Sequence, residues 1–492
     1  MDHHGKVWGL TQHTTPESAF ERIKQIYDCN SEIIRQTFEN FVINKAEKKD
    51  LDPSATLYTT YPYLGIRITP ESTHDDASYA FGSISETGVY GSTLTRPDLF
   101  EDYYKEQIGI LLKRHKVPVV VGSSNCRIPL PFIENIPSEA VEHKQLSMLR
   151  HEFALPNLRE INDEIANSFS SSATKQVQPL SLFSAERVDF SLQRLQHYSG
   201  TAAKHFQHFI LLTNYQRYVD GFVEFAREQL KKNNGYTRLV EPGNVITTYD
   251  GSKFKTTGTP RKHLPQMPTY HLERDDKEGI TFINIGVGPS NAKTITDHLA
   301  VLRPHCWIMV GHCAGLRRTQ FLGDYVLAHG YVRDDHVLDD DLPPWIPVPP
   351  IAEVQVALQD AVARITGLKG MDLKSRMRTG TVITVDNRNW ELRTAELLKY
   401  LKQSRSIALD MESATVAANG FRFRVPYGTL LCVSDKPIHG ELKLPGMANS
   451  FYQERVQQHL RIGLETIRLM REAGSVKLHS RKLRGFEEPP FR

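Results

Sequence analysis

Cysteine is scarce in this sequence, and the few cysteines present form no pattern. Five occur in 492 residues, which is an odd number, and no two of them make a CxxC pair. A disulfide framework is therefore excluded as the basis of the fold, and the thiols are expected to be reduced, as in a cytoplasmic protein. The cysteines are Cys29, Cys126, Cys306, Cys313 and Cys432.

An excess of charge and a long apolar run are also missing. The 60 basic and 57 acidic residues leave a net charge of +3, which gives no electrostatic reason to expect binding to nucleic acid or to an anionic membrane. No apolar run approaches the roughly 20 residues of a membrane-spanning helix. The first residues, MDHHGKVWGLTQHTTPE, contain no apolar core of a signal peptide. We therefore expect a cytoplasmic protein without a membrane segment or a nucleic-acid partner.

Several motifs of nucleotide and metal chemistry are absent as well. The sequence contains neither the GxxxxGK[ST] of P-loop NTPases nor the GxSxG elbow of serine hydrolases. IGVGPSNA resembles a dinucleotide-binding turn, but Asn291 replaces the third glycine, and the next predicted strand ends in Gly311 and His312 without an acidic residue. This turn is as compatible with a phosphate or sugar contact as with no ligand. His312, Cys313 and Cys306 lack a zinc-ligand spacing, so no metal site is expected.

The length and the pattern of elements predict two domains. Residues 1–165 mix helical periodicity with short alternating strands, which predicts a smaller N-terminal α+β domain. Residues 166–186 are rich in Ser, Asn, Thr and Gln and are predicted to be a linker. In residues 187–492 apolar strands alternate with helices, which is typical of an α/β domain with a mostly parallel central sheet flanked by helices.

Polar residues and glycines follow the predicted strands of this second domain. In open α/β sheets, ligands bind outside the carboxyl ends of the strands, where such residues converge. A single aspartate after a strand is usually a helix cap or a turn residue, but a whole series of polar strand ends at one edge favours a ligand site. The candidates are Asn214 and Arg217, Gly286 and Gly288, His312, Arg388 and Trp390, Met411, Glu412 and Ser413, and Asp435.

Two of these strand ends belong to recognisable motifs. IALDMESATVAA and CVSDKP, a strand–Met–Glu–helix element and a later strand–Ser–Asp element, resemble the nucleoside phosphorylase and nucleosidase superfamily. Over essentially its full length the chain is similar to the bacterial AMP nucleosidases, through NYQRYVD, INIGVGPSNAKTI, VGHCAGLR, YVRDDHVLD, DNRNWELR and HSRKLRGFEEPPFR. The resemblance implies a phosphorylase-like fold for residues 187–492 and hydrolysis of the N-glycosidic bond of AMP to adenine and ribose 5-phosphate.

The resemblance also implies roles for individual residues. Asp435 matches the acid that protonates the leaving adenine at N7, and a buried carboxyl with a raised pKa suits that task. Glu412 matches the residue that binds the ribose hydroxyls, and its charge also suits a developing oxocarbenium ion. Met411 is expected to pack on the sugar. Trp390 has two open interpretations, a stacking partner of adenine or a core residue, and Arg388 is expected to reach the base or a phosphate.

The chain departs from the phosphorylases at the residues that bind a phosphate nucleophile. The phosphorylase loop Gly-Asp-Pro-Leu-Arg reads TNYQR here, so that only Arg217 is retained, and Met309 and His312 stand where phosphorylases carry an arginine and a serine. Water is therefore the expected nucleophile, and Arg217 is expected to hold the 5′-phosphate of AMP. His312 and Glu412 are both open as the base that activates the water. The remaining expected substrate contacts are Asn214, Gly286, Gly288 and Ser413.

For the N-terminal region, the resemblance implies a regulatory domain. It implies Mg-ATP as an allosteric activator, phosphate as an inhibitor, no cofactor for catalysis, and a homohexamer. Two other classes stay open at this point. One is a phosphorolytic enzyme that releases ribose 1,5-bisphosphate, and the other is a non-catalytic nucleotide sensor that has kept the fold.

Overall fold

The computed structural model describes residues 7–43, 56–73, 81–133, 149, 152–168, 176–442, 449–478, 481–485 and 488–492. The chain divides into two compact units, Met1–Gln193 together with Arg484–Arg492, and Arg194–Leu483. This division differs from the predicted domain limits at both ends of the second domain. Within the predicted linker, residues 169–175 lie outside the described part, Gln178–Pro179 form a strand, and a helix begins at Ala185.

The first unit is built from one antiparallel-rich sheet and two long helices, which confirms the predicted N-terminal α+β domain. Its five strands have the order β1-β4-β2-β3-β5. The strands are β1 (Trp8–His13), β2 (Thr60–Ile68), β3 (Gly88–Thr93), β4 (Val119–Arg127) and β5 (Gln178–Pro179), and the helices are α1 (Pro16–Ile43) and α2 (Pro97–His115).

Helix α1 starts where the sequence signals predict. The hydroxyl of Thr15 accepts a hydrogen bond from the backbone N–H of Ser18 (3.3 Å), and Pro16 occupies the first helical position, where a missing N–H costs nothing. Phe20 and Ile23, one helical turn apart, are buried. The apolar face of the helix is thereby fixed against the sheet, with which α1 makes contacts at β2 and β4.

The second unit contains an 11-stranded sheet and most of the helices. Helix α3 (Ala185–Ser199) spans the division between the units. The strands are β6 (Phe209–Thr213), β7 (Arg238–Glu241), β8 (Val245–Tyr249), β9 (Phe254–Thr257), β10 (Thr269–Glu273), β11 (Ile280–Asn284), β12 (Cys306–Gly315), β13 (Tyr325–Asp334), β14 (Met377–Val385), β15 (Ala408–Asp410) and β16 (Tyr427–Asp435). The helices are α4 (Gln216–Lys232), α5 (Pro289–Leu299), α6 (Ala352–Thr366), α7 (Gly370–Arg376), α8 (Thr394–Ser404), α9 (Ser413–Phe423) and α10 (Asn449–Ala473).

The centre of this sheet is parallel, as predicted. Strand β6 pairs in parallel with β11 and β12, and β12 pairs in parallel with β16. Antiparallel strands extend the sheet from β11 through β10, β7, β8 and β9. On the other side, an additional antiparallel pairing of β12 with β15 closes the strands β12, β16, β13, β14 and β15 into a ring. The carboxyl ends of β6, β11, β12 and β16 consequently lie at one edge.

Large apolar side chains from these strands form the core. Trp307, Phe209, Phe282 and Tyr427 are almost completely buried, and the indole N–H of Trp307 donates to the carbonyl of Val416 (3.2 Å). Among the helices of the described ranges, none has both the length and the apolar character needed to cross a lipid bilayer.

Candidate active site

Glu412 lies at the junction of β15 and α9, and two elements from elsewhere in the chain hold its carboxyl group. The side-chain amide of Asn214 donates from Nδ2 to Oε2 (2.8 Å), and the backbone N–H of Gly288 donates to Oε1 (2.6 Å). The side chain is buried, with 1% exposure. The loops after β6 and β11 therefore converge on the start of α9, as the polar strand ends predict.

The glycine turn after β11 serves this contact through its backbone. Gly286 has a φ of +68° and Gly288 a φ of +118°, conformations that residues with a side chain rarely adopt. The N–H of Gly286 donates to Oδ1 of Asn284 (3.1 Å), which closes the turn. Gly288 directly precedes helix α5, so the N–H that contacts Glu412 carries the partial positive charge of a helix N-terminus.

Gly311, on β12, explains why Asn214 can approach Glu412. A Cβ atom at position 311 would lie 3.1 Å from Oδ1 of Asn214 and 3.0 Å from the terminal methyl carbon of Met309. Both distances are shorter than ordinary van der Waals contacts, so a side chain at this position would displace the amide that donates to Glu412.

Asp410, the last residue of β15, is a residue of this site that the sequence analysis did not select. It is 4% exposed and accepts hydrogen bonds from the N–H of Ser413 (2.9 Å), the hydroxyl of Ser413 and the hydroxyl of Thr384 (2.6 Å). The available signal was the spacing in LDMES, where an aspartate stands three residues before the first helical residue, as a helix-capping residue does. The predicted contact of Ser413 with substrate stays a prediction, and the structure places its hydroxyl on Asp410.

The two carboxyl groups share a buried environment, and this sets their protonation. Burial raises the pKa of Glu412, the nearby charge of Asp410 raises it further, and the donors on Gly288 and Asn214 oppose both effects. Burial also raises the pKa of Asp410, against the hydrogen bonds from Ser413 and Thr384. Since like charges at close range disfavour double ionisation, the protonation state of one carboxyl depends on the other.

Asp435 ends strand β16 and is half-buried at the same sheet edge. The hydroxyl of Ser434 donates to its Oδ1 (2.8 Å), and Asp435 lies opposite Ala314 of β12 in the strand register. Lys436, the next residue, directs its ammonium group to the carbonyl of Gln320 (2.8 Å) and the carboxylate of Glu441 (2.6 Å). The sheet thus presents the carboxyl group of Asp435 while its basic neighbour is bound elsewhere.

His312 and Arg217 lie near the carboxyl end of β6. His312 is inside β12 rather than at its end, because the strand continues to Gly315, and its ring centroid lies 5.1 Å from that of Tyr215 and 5.5 Å from that of Tyr218. Arg217 belongs to the first turn of α4, and its guanidinium carbon is 6.0 Å from the ring centroid of Tyr215. Tyr215 is therefore the residue that brings these two predicted site residues together.

The remaining predicted residues are placed differently. Met411 is half-buried between Asp410 and Glu412 in the chain. Arg388 is exposed in the segment after β14. Trp390 is 6% exposed and packs in a hydrophobic cluster with Ile383 and Leu409. This packing favours the core interpretation of Trp390, and its stacking on adenine stays a prediction.

Comparisons with known proteins agree with the motifs. A family model described as "Bacterial AMP nucleoside phosphorylase N-terminus" matches residues 18–177, and one described as "Phosphorylase superfamily" matches residues 254–468. The chain is 47% identical over 480 residues to an AMP nucleosidase of Escherichia coli (strain K12), a match that covers 97% of this chain and 98% of the relative. The same values hold for an AMP nucleosidase of Escherichia coli O157:H7.

A solved structure is also similar, at a lower level. The crystal structure of AMP nucleosidase from Bacteroides thetaiotaomicron VPI-5482 has 27% sequence identity and a TM-score of 0.42, and the match covers 58% of this chain and 98% of that one. This TM-score is too low to support a conclusion. The full-length relatives at 47% identity are sufficient, and they confirm the predicted resemblance. The chain belongs to the AMP nucleosidase family of hydrolases.

Proposed function

We propose that this enzyme hydrolyses the N-glycosidic bond of AMP and releases adenine and ribose 5-phosphate. The observation that carries the proposal is the placement of two carboxyl groups at one edge of the parallel sheet. Glu412 is held there by Asn214 and Gly288, and Asp435 ends strand β16. An acid for the leaving base and a negative charge for the sugar are what cleavage of a glycosidic bond requires.

Asp435 is the proposed acid for the leaving group. As the bond between C1′ and N9 breaks, its electron pair passes to adenine, and the proton of the Asp435 carboxyl moves to N7. Adenine then leaves as a neutral molecule, which costs much less than expulsion of an anion. The hydrogen bond from Ser434 to Oδ1 fixes the orientation of this carboxyl (2.8 Å).

Glu412 is the proposed partner of the ribose. In its ionised form it accepts hydrogen bonds from the sugar hydroxyls and faces the positive charge that develops at C1′. The donors on Asn214 and Gly288 position this charge before substrate arrives, so little reorganisation is needed in the transition state. Met411, next to it in the chain, is the proposed apolar contact with the sugar.

The 5′-phosphate of AMP is assigned to the beginning of α4. Arg217 lies in the first turn of this helix, and that turn contains no acidic residue. A guanidinium group together with a helix N-terminus suits a phosphate. The nucleophile is then water, whose oxygen bonds to C1′ and whose hydrogens remain with ribose 5-phosphate and with the acid that is re-protonated for the next cycle.

Regulation is proposed to reside in the first unit, with Mg-ATP as activator and phosphate as inhibitor. A cavity of about 440 Å³ lies beside α1 and the start of α2. Arg96 has a left-handed backbone (φ +48°) and donates two hydrogen bonds to Asp98 (2.8 and 2.7 Å), while Arg35 pairs with Glu32. The Oγ atom of Ser31 is buried and has no hydrogen-bond partner within the described residues.

This lining suits a polyphosphate that carries its own Mg²⁺. Guanidinium groups bind phosphate oxygens with charge-assisted hydrogen bonds, and carboxylates such as that of Asp98 are oxygen ligands of the kind Mg²⁺ prefers. The expected homohexamer and the cytoplasmic location stay predictions.

The reaction itself is tested by chromatography of purified protein incubated with AMP in phosphate-free buffer. We expect adenine and ribose 5-phosphate in equal amounts, because water is the nucleophile. Formation of adenine only after phosphate is added, with ribose 1,5-bisphosphate as the second product, would identify a phosphorylase. AMP that binds but is recovered intact in both buffers would identify a sensor.

The role of Asp435 is tested by Asp435→Asn. This change removes the transferable proton and keeps the size of the side chain, so turnover should fall by about 10²–10⁴-fold while the Kd for AMP stays within a few-fold of wild type. Steady-state kinetics and equilibrium binding measure the two effects separately. Asp386→Asn, an exposed aspartate that follows β14, is the matched control. Wild-type turnover in Asp435→Asn would remove this residue from the mechanism.

The effector cavity is tested by Arg35→Gln, which removes one guanidinium from the lining. The concentrations of Mg-ATP and phosphate needed for half of their effects should rise by about tenfold or more, because a charge-assisted contact is lost. Turnover without effectors should not change. Arg22→Gln is the control, since Arg22 lies on the same helix and donates to Gln25 (2.7 Å). Unaltered responses to both effectors in Arg35→Gln would place the regulatory site elsewhere.

A further inference from the structure

Three potential metal ligands meet at the edge of the second sheet opposite the active site. His208 immediately precedes β6, Glu278 lies just before β11, and His305 immediately precedes β12. Their ligand atoms all lie within 4.8 Å of one another. Strand β6 has five residues, so this edge is about 16 Å from the carboxyl ends of the strands. The proposed reaction uses none of the three residues.

The geometry of the cluster is set by the backbone of the sheet. The N–H of His305 donates to the carbonyl of His208 (2.8 Å), and the N–H of His208 donates to the carbonyl of Lys277 (2.9 Å). These bonds tie the three segments together next to the side chains. The two imidazole rings are 4.5 Å apart between centroids. The donors are therefore gathered by main-chain pairing, and a ligand does not have to assemble them.

The side-chain distances are close to those of a tetrahedral site. Ligand atoms about 2.1 Å from a common ion lie about 3.4 Å from each other when the angles are tetrahedral. Nδ1 of His208 is 3.7 Å from Oε1 of Glu278, and Nε2 of His305 is 2.7 Å from the same oxygen. Nδ1 of His208 is buried and accepts or donates no hydrogen bond to any described residue.

The charges around the cluster leave the carboxylate of Glu278 to the two histidines. Lys277 directs its ammonium group to the carbonyl of Lys204, and Arg471 donates to the main-chain carbonyl of Glu278 (3.1 Å) rather than to its side chain. The side chains of His208 and Glu278 are 37% and 24% exposed. An ion can therefore enter from solvent, and water can complete its coordination.

We propose that His208, Glu278 and His305 bind a divalent transition-metal ion, with Zn²⁺ as the best match. Two imidazole nitrogens and one carboxylate oxygen suit zinc and its first-row neighbours, whereas Mg²⁺ and Ca²⁺ prefer oxygen ligands throughout. The ion would join the starts of β6 and β12 to the segment before β11, and it would stabilise the sheet without taking part in the reaction. The sequence analysis expected no metal site, because these ligands are separated by 70 and 27 residues and form no local motif.

The experiment is titration of chelator-treated full-length protein with Co²⁺, followed by visible absorption, and with Zn²⁺, followed by calorimetry and thermal unfolding. We expect one tightly bound equivalent of each ion, the intense absorption of tetrahedral Co²⁺, and a higher Tm with Zn²⁺ because the ion binds only the folded state. His208→Gln should weaken binding by about tenfold or more. Its metal-free Tm should stay near that of wild type, because Nδ1 of His208 makes no hydrogen bond there.

His263→Gln, which removes an exposed histidine of the same unit, is the control and should bind as wild type does. Equal affinity in wild type and His208→Gln would overturn the proposal and leave a hydrogen-bonded His–Glu pair. Absence of tetrahedral Co²⁺ absorption in the wild-type protein would overturn it without any variant. Turnover of AMP is a separate readout, so either result stands whether or not the proposed reaction is correct.

Discussion

A buried negative charge at Glu412 is the constraint on which the proposed active site depends. A carboxylate removed from water needs hydrogen-bond donors, and here an amide from the loop after β6 and an N–H from the turn after β11 provide them. These donors can meet only if the parallel strands end at one edge, if Gly288 adopts a positive φ, and if Gly311 leaves room for Asn214. The sheet order, two glycines and one asparagine are thus explained by a single side chain.

Asp410 adds a second constraint of the opposite sign. Its hydrogen bonds to Ser413 and Thr384 start helix α9 and join it to β14, yet its charge disfavours ionisation of Glu412. A purely structural helix cap would not require an aspartate in this place. The arrangement gives Glu412 a pKa that responds to its surroundings, which suits a group that must be charged when the ribosyl cation develops.

The sequence predicted the elements better than the contacts between them. Alternating strands and helices indicated the α/β unit, and the Met-Glu and Ser-Asp motifs selected Glu412 and Asp435, because such patterns are local. Asp410 was missed, since an aspartate before a helix is usually only a cap. The association of Arg484–Arg492 with the first unit, the second division near Gln193 and the His208–Glu278–His305 cluster depend on pairings between distant segments, which periodicity does not report.

The central claim is that an ionised Glu412, balanced against Asp410, is required for turnover. The most direct measurement is the pH dependence of kcat/KM for AMP in wild type and in Asp410→Asn, which keeps acceptors for Ser413 and Thr384 and removes the charge. Without that charge the pKa of Glu412 falls, so its ionised form persists to lower pH. The account predicts that the acidic limb of the profile moves to lower pH. An acidic limb that stays in place, or moves to higher pH, would contradict it.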